Sequence, residues 1–181
     1  MFVTNHVLAG SLLGGPLRRR PVAAFAAGFA SHLLLDACPH WGTGESQLSE
    51  EFLRIARRDG LSGLSALTGA VATAPVGTRL ATLAATVGAA LPDMDKPCLV
   101  FFGFTPWPAW FDRFHRWIQR ESPDRLGHEM GLAVALAVVV GAARWRPTRS
   151  DRRARAGNRR RPAASRPAAS AIASLANRRA R

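Results

Sequence analysis

Val22-Ala-Ala-Phe-Ala-Ala-Gly-Phe-Ala30 and Ala81-Thr-Leu-Ala-Ala-Thr-Val-Gly-Ala-Ala90 decide the fold class. Both stretches are built of small apolar residues, and neither shows the period-two alternation with β-branched runs that marks a strand. Small side chains let helix backbones approach closely, so these segments read as helices packed on one another. Three more apolar segments flank them, giving five in all: Phe2 to Leu17, Val22 to Cys38, Leu61 to Gly77, Leu80 to Leu91 and Gly131 to Ala143. Turn signals separate them at Gly14-Gly15-Pro16, Pro39 to Gly44, Pro75 to Arg79, Pro92 with Pro97, and Pro106 with Pro108. None of the five reaches the ~20 residues that comfortably cross a bilayer as a helix.

The chain has 181 residues, 48% of them apolar, which suffices for one domain with its own core and excludes a wholly disordered chain. Its net charge of +13 suggests a nucleic-acid binder until the distribution is read. From Arg144 onward there are 13 Arg against one acid, Asp151, so residues 1–143 are almost neutral. The sequence therefore predicts an all-α fold: a compact bundle of about five short apolar helices plus an amphipathic aromatic helix over 1–143. A disordered Arg-rich tail over 144–181 follows it, having almost nothing to bury. Such a tail could bind nucleic acid or anionic lipid without specificity, though no aromatic follows Trp145 to stack bases. The single Lys96 and the absence of Tyr reflect the codon bias of a GC-rich genome. Arg18, Arg19 and Arg20 follow the first apolar stretch where a signal peptide would have them precede it. Cys38 and Cys98 form no C-x-x-C; free buried thiols are the default for them, with a bridge as the alternative at an extracytoplasmic end.

If each apolar segment traverses the bundle once, Arg18 to Arg20, Arg79 and the tail share one end, which the positive-inside tendency assigns to the cytoplasm. Met1, the stretch after Leu35, Asp59, the Pro92 to Pro97 loop and His128 fall at the other. That second end collects the residues capable of chemistry. His32 and Asp36 lie at i and i+4 on one helix face inside an uncharged run, where an unpaired carboxylate is costly and calls for a cation, a metal or a proton. His40 follows four residues on, past Pro39, and a shared metal ion is the economical reading of the three. A lone His would instead be a satisfied core residue or a helix cap. Asp93 and Asp95 sit in a loop stiffened by Pro92 and Pro97, where they could chelate a metal or form an Asx-type turn with Lys96 as counter-ion. His6 joins this end from the first helix. Asp59 joins it from the start of the third, where it could equally be that helix's N-cap. Histidine and carboxylate donors without a thiolate suit zinc, with manganese or iron as alternatives.

Residues 101–117 hold eight aromatics. In a helix over 108–120, Trp110, Phe111, Phe114, Trp117 and Ile118 share one face, with Arg113, Arg116 and Arg120 opposite. Such a helix could dip into lipid headgroups, roof over a site, or pack on the domain's own core. His115 lies at its border as a candidate proton donor. His128-Glu129 is no H-E-x-x-H, because Leu132 occupies the last position; P-loop, G-x-G-x-x-G and G-x-S-x-G motifs are missing.

Taken together, Thr4-Asn-His6, Ser31-His-Leu-Leu-Leu-Asp-Ala-Cys-Pro-His-Trp41, Asp59-Gly60 and Gly88-Ala-Ala-Leu-Pro-Asp93 resemble the membrane-bound metal-dependent hydrolases, small bacterial multi-helix proteins. More distantly, the His-x-x-x-Asp helix is similar to zinc-dependent phospholipase C and nuclease proteins. The resemblance covers about residues 1–97. It implies an all-α bundle in or on the cell membrane, with His6, His32, Asp36, His40, Asp59 and Asp93 as metal ligands. The expected function is a metal-dependent hydrolase of phosphoesters or similarly activated bonds, using metal-activated water with Asp95 as general base and His115 as the second catalytic group. A membrane lipid or membrane-proximal substrate fits the aromatic helix. The family's second histidine cluster, of the H-R-G-x-T-H-S type, has no counterpart here. Its absence favours the other reading, a non-enzymatic helical membrane protein with a structural His/Asp metal or polar cluster.

Overall fold

The computed structural model describes residues 1–42 and 49–145. The expected tail therefore lies outside the described residues, apart from its first two. Residues Met1–Arg144 form one compact unit. The described residues hold seven α-helices: α1 (Val3–Leu13), α2 (Pro21–Asp36), α3 (Glu50–Thr73), α4 (Arg79–Ala90), α5 (Asp95–Phe102), α6 (Ala109–Ile118) and α7 (Leu126–Trp145). Two three-residue strands, β1 (Pro39–Trp41) and β2 (Arg120–Ser122), pair in parallel with His40 opposite Glu121. The all-α bundle is as the sequence predicts, and α1, α2, α3, α4, α6 and α7 account for its apolar and aromatic segments.

The small-residue stretches meet in the centre. Ala24, Ala81 and Ala85 are fully buried between α2 and α4. A Cβ on Gly28 would collide with the Ala85 carbonyl, and one on Gly88 with the Phe25 carbonyl. The glycines on the two helices are thus reciprocal notches that let the backbones touch. Gly10 and Gly14 do the same for α1, which lies against Ala85, Ala89 and Thr82 of α4.

Three expectations need correction. The third helix does not begin at Asp59: Ser49 caps it, its side chain accepting the Phe52 N–H at 3.2 Å, and Glu50 and Glu51 favour the first turn of a helix. Gly60 is carried within α3, at the modest propensity cost of an interior glycine. The last apolar segment is longer than its charge-free part. It runs through Gly127, His128 and Glu129, so that Pro123–Trp145, with a 3-10 turn before α7, is long and apolar enough to cross a membrane. The face shared by the aromatics of α6 is also divided. Phe111 and His115 point inward, whereas Trp110, Phe114 and Trp117 are exposed.

α1 lacks an N-cap of its own, Phe2 offering no side-chain acceptor. Two carboxylates from distant helices supply what it lacks. Asp59 of α3 accepts the N–H groups of Val3 and Thr4, and Glu129 of α7 accepts that of Phe2. A helix N-terminus carries unpaired donors and partial positive charge, which these two anions satisfy.

Candidate metal centre

The C-terminal end of α2, the C-terminal end of α4 and the inner face of α6 meet at one point. α2 contributes His32 and Asp36, one turn apart, and both side chains are fully buried. The 3-10 turn after α4 contributes Asp93, fixed by Pro92 before it; Trp107 donates from Nε1 to the Pro92 carbonyl at 3.0 Å and pins the turn from the side of α6. α6 contributes His115, one turn after Phe111. Each of these four residues offers one ligand atom, and the four atoms lie within 4.8 Å of one another.

Asp36 is the hub. Its Oδ2 lies 2.9 Å from His115 Nε2, 3.1 Å from His32 Nε2 and 3.2 Å from Gln119 Nε2. Its Oδ1 faces His6 Nε2 at 3.1 Å and the Met1 nitrogen at 3.3 Å. The His32 ring is oriented by its other nitrogen, since Nδ1 lies 2.7 Å from the Ala89 carbonyl oxygen, to which only an N–H can donate. That fixes the tautomer of a neutral His32 with a bare Nε2, the arrangement usual for metal-binding imidazoles. The bare atom faces His115 Nε2 at 3.1 Å.

These distances allow a test of fit. Bonds of about 2.0–2.1 Å from a tetrahedral ion place its donors about 3.3 Å apart. The triangle formed by His32 Nε2, His115 Nε2 and Asp36 Oδ2, with edges of 3.1, 2.9 and 3.1 Å, approaches that size. Asp93 Oδ1 lies 3.9 Å from His32 Nε2 and completes a two-nitrogen, two-oxygen donor set. The buried His/Asp group could hold a metal ion.

Other expected residues stand in different relations to this group. His6 stacks on His32 with ring centroids 3.7 Å apart, and its Nδ1 has no hydrogen-bond partner among the described residues. His40, on β1, points its Nδ1 at the Cys38 carbonyl, 2.9 Å away; its Nε2 is 4.0 Å from Glu121 Oε1 and outside the four-residue group. Asp59 also lies outside the four-residue group. Its carboxylate is occupied by the Val3 and Thr4 N–H groups and the Thr4 hydroxyl, at 2.7, 3.2 and 2.7 Å, so it caps α1 and does not converge with the ligands. Asp95 opens α5, and its buried Oδ1 has no hydrogen-bond partner among the described residues. His115, expected as a proton donor, lies among the converging donors. Cys38 and Cys98 are free thiols, as expected, but not buried ones: Cys38 is exposed and Cys98 half-buried.

Lys96 holds Asp93, its Nζ 2.5 Å from Oδ1. Burial alone would raise the Asp93 carboxyl, but the Lys96 ammonium and the neighbouring rings hold it below the usual carboxylate range. For Lys96 the burial penalty is likewise outweighed, by Asp93 and then Asp95, and its ammonium is held above the ordinary lysine range.

No protein-family model, curated protein or solved structure matches the chain. The site must therefore be read from its own chemistry. No role is assigned from the sequence to two buried or half-buried polar residues, Gln119 beside the site and Glu129 at the start of α1. Gln119 follows His115 by four residues, as the C-cap of α6, a spacing that could have signalled it. Glu129 is the lone acid of an apolar helix, and its burial with Asn5 Nδ2 at 2.7 Å explains why it is tolerated there.

Proposed function

We propose that the protein is a membrane-associated, metal-dependent hydrolase in which His32, Asp36, Asp93 and His115 hold a divalent ion, zinc in the first instance and manganese or iron as alternatives. The observation that carries this reading is the convergence of four buried donor atoms within 4.8 Å of one another. The resemblance of residues 1–97 to membrane-bound metal-dependent hydrolases supports it, as does the long apolar α7. A bound divalent ion would supply Lewis acidity and make a water molecule more acidic at neutral pH.

The chain's own groups then divide the remaining work. Ala89 orients His32, and Gln119 orients Asp36 by donating to Oδ2. His115, with its Nε2 directed at the donor set, is better suited to holding the ion than to delivering a proton. Proton transfer falls to Asp95, whose carboxyl is raised by burial, ahead of the opposing pull of Lys96. The substrate class in this reading is a phosphoester presented at the membrane, with the arginine-bearing end and the tail cytoplasmic.

A second reading has its own support. Asp36 already faces five nitrogen atoms, one of them the Met1 ammonium at 3.3 Å, and this pairing would neutralise it without a metal, making the cluster a structural polar hub. Metal content decides between the two. Protein purified in detergent and dialysed against trace zinc should retain the ion, Asp36→Asn should lose it with its helical signal intact, and hydrolysis of p-nitrophenyl phosphate or its diester should fall with the metal. Wild-type protein that holds no divalent ion would overturn the hydrolase reading and leave the structural one.

A further inference from the structure

Three helices share one spacing between an acidic residue and an arginine at the opposite end, and the end of a fourth receives an arginine from its neighbour. Asp36 ends α2 and Arg20 immediately precedes it. Asp93 follows α4 and Arg79 begins it. Glu129 lies near the start of α7 and Arg144 near its finish. Asp59 lies within α3, and the end of that helix receives Arg79, whose guanidinium donates to the Ala72 and Ala74 carbonyls. In α2, α4 and α7 the separation is 14 to 16 residues, which at 1.5 Å per residue is about 21–24 Å.

The acids lie at one level because they are joined there. Asp36 meets Met1 and His6; Asp59 and Glu129 hold the first turn of α1; Asp93 approaches His32. Between this level and the arginines the helices carry no charged side chain: residues 3–13 of α1, 21–35 of α2, 60–73 of α3, 80–90 of α4 and 130–143 of α7. Among their outward residues are large apolar ones, Val22, Leu61, Leu80 and Val138, each more than three-fifths exposed, interspersed with alanines and with serines and threonines such as Ser62, Ser65 and Thr68. On the other side of the acid level the composition reverses: α3 carries Glu50, Glu51, Arg54, Arg57 and Arg58 before it reaches Asp59.

We propose that this uncharged belt is the lipid-embedded part of the molecule and that the carboxylate level, with the candidate metal centre in it, lies at one boundary between hydrocarbon and headgroups. The inference rests on the membrane half of the functional reading and not on the metal. A contiguous apolar surface around several helices is rare on a soluble monomer. A belt of about 22 Å falls short of a ~30 Å hydrocarbon core, a difference that arginine side chains at the far end accommodate by snorkelling and the bilayer by thinning. α6 supplies the boundary markers. It hangs from the carboxylate level through His115 and Gln119, presents Trp110, Phe114 and Trp117 outward, and carries exposed Arg113 and Arg116 that suit lipid phosphates. The hydrolysable bond of a substrate would accordingly lie at headgroup depth, in an amphiphile held by the bilayer.

The test is a depth measurement on the full chain in phosphatidylcholine–phosphatidylglycerol vesicles. Nitroxides are placed singly at Leu64→Cys, Val87→Cys and Val138→Cys in the belt, Trp117→Cys on α6 and Arg54→Cys beyond it, in a Cys38→Ser, Cys98→Ser background. The belt positions should show several-fold less collision with aqueous nickel chelate than position 54 and more with oxygen, with position 117 between them. Quenching of wild-type tryptophan by lipids brominated near the headgroup, exceeding that by lipids brominated at the chain end, checks the result without substitutions. Belt positions as open to nickel chelate as position 54, or a chain that is monomeric in buffer without detergent, would overturn the proposal. So would belt positions covered by a second copy in water, seen as spin–spin broadening without vesicles. Metal is assayed on the same samples: the expected depth pattern without bound metal would remove the hydrolase reading alone, and bound metal with a water-exposed belt would remove this one alone.

Discussion

The carboxylate of Asp59, midway along α3, accepts the backbone N–H of Val3 at 2.7 Å, so one helix caps another across 56 positions of sequence. The Thr4 N–H and hydroxyl add two further bonds to the same carboxylate. In Asp59→Asn an amide NH2 would replace one of the acceptor oxygens and oppose a donor. We expect a loss of about 1–3 kcal/mol in stability, read from thermal or denaturant unfolding in detergent, with bound metal unchanged. A parallel loss of metal would show that Asp59 belongs to the centre after all.

Gly28 and Gly60 should respond in opposite ways to the same substitution. At Gly28 a methyl group would strike the Ala85 carbonyl, which is backbone and cannot rotate aside, so Gly28→Ala should cost about 1–3 kcal/mol through forced separation of α2 from α4. At Gly60 nothing lies within 4 Å, and Gly60→Ala should stabilise α3 by about 0.5–1 kcal/mol. Melting curves of the two variants under one condition check both signs.

Glu129 ties α7 to the rest of the bundle. It accepts from Phe2 N at 3.2 Å and Asn5 Nδ2 at 2.7 Å through one oxygen, and from Trp41 N at 3.4 Å through the other. Glu129→Gln keeps the shape but turns one acceptor into a donor. Hydrogen exchange at the Phe2 and Trp41 amides should accelerate at least about tenfold, the equivalent of 1.4 kcal/mol, while the amides at the centre of α4 stay protected. Equal acceleration throughout would mean global loosening instead.

Gln119 approaches Asp36 from outside the donor set. Partners of this kind typically contribute about 10–100-fold to metal affinity by orienting a ligand. Gln119→Ala should weaken binding by that order in competition with a chromophoric chelator and leave helicity intact. Unaltered affinity would place the Gln119 side chain among groups that merely fill space.

Much of this organisation can be read from particular residues. His32 and Asp36 are legible because a one-turn spacing in an uncharged helix leaves few alternatives for a buried carboxylate. The stretch from Ala81 to Ala90 is legible because only close packing explains so many small residues. Asp59 is misread for a physical reason: an acid before a glycine looks like a helix start, and nothing local shows that α1 needs an external cap. The roles of Gln119 and Glu129 are hard to read for a related reason, since the partners Asp36 and Asn5 lie more than 80 residues away. The inward turn of His115 is hidden by neighbouring arginines, which mark a solvent face without revealing how narrow that face is.

The donors of the centre are spread along the chain from His32 to His115, which imposes an order of events during synthesis. α1, α2 and α4 can interlock through their glycine notches as soon as residue 90 has emerged, because nothing in that packing involves α6. Asp36 is by then enclosed by α1 and α4 but still lacks His115 and Gln119. Until they arrive, Asp36 has only the partners that the chain through α2 brings, Met1, His6 and His32, and α6 is the element that completes its surroundings.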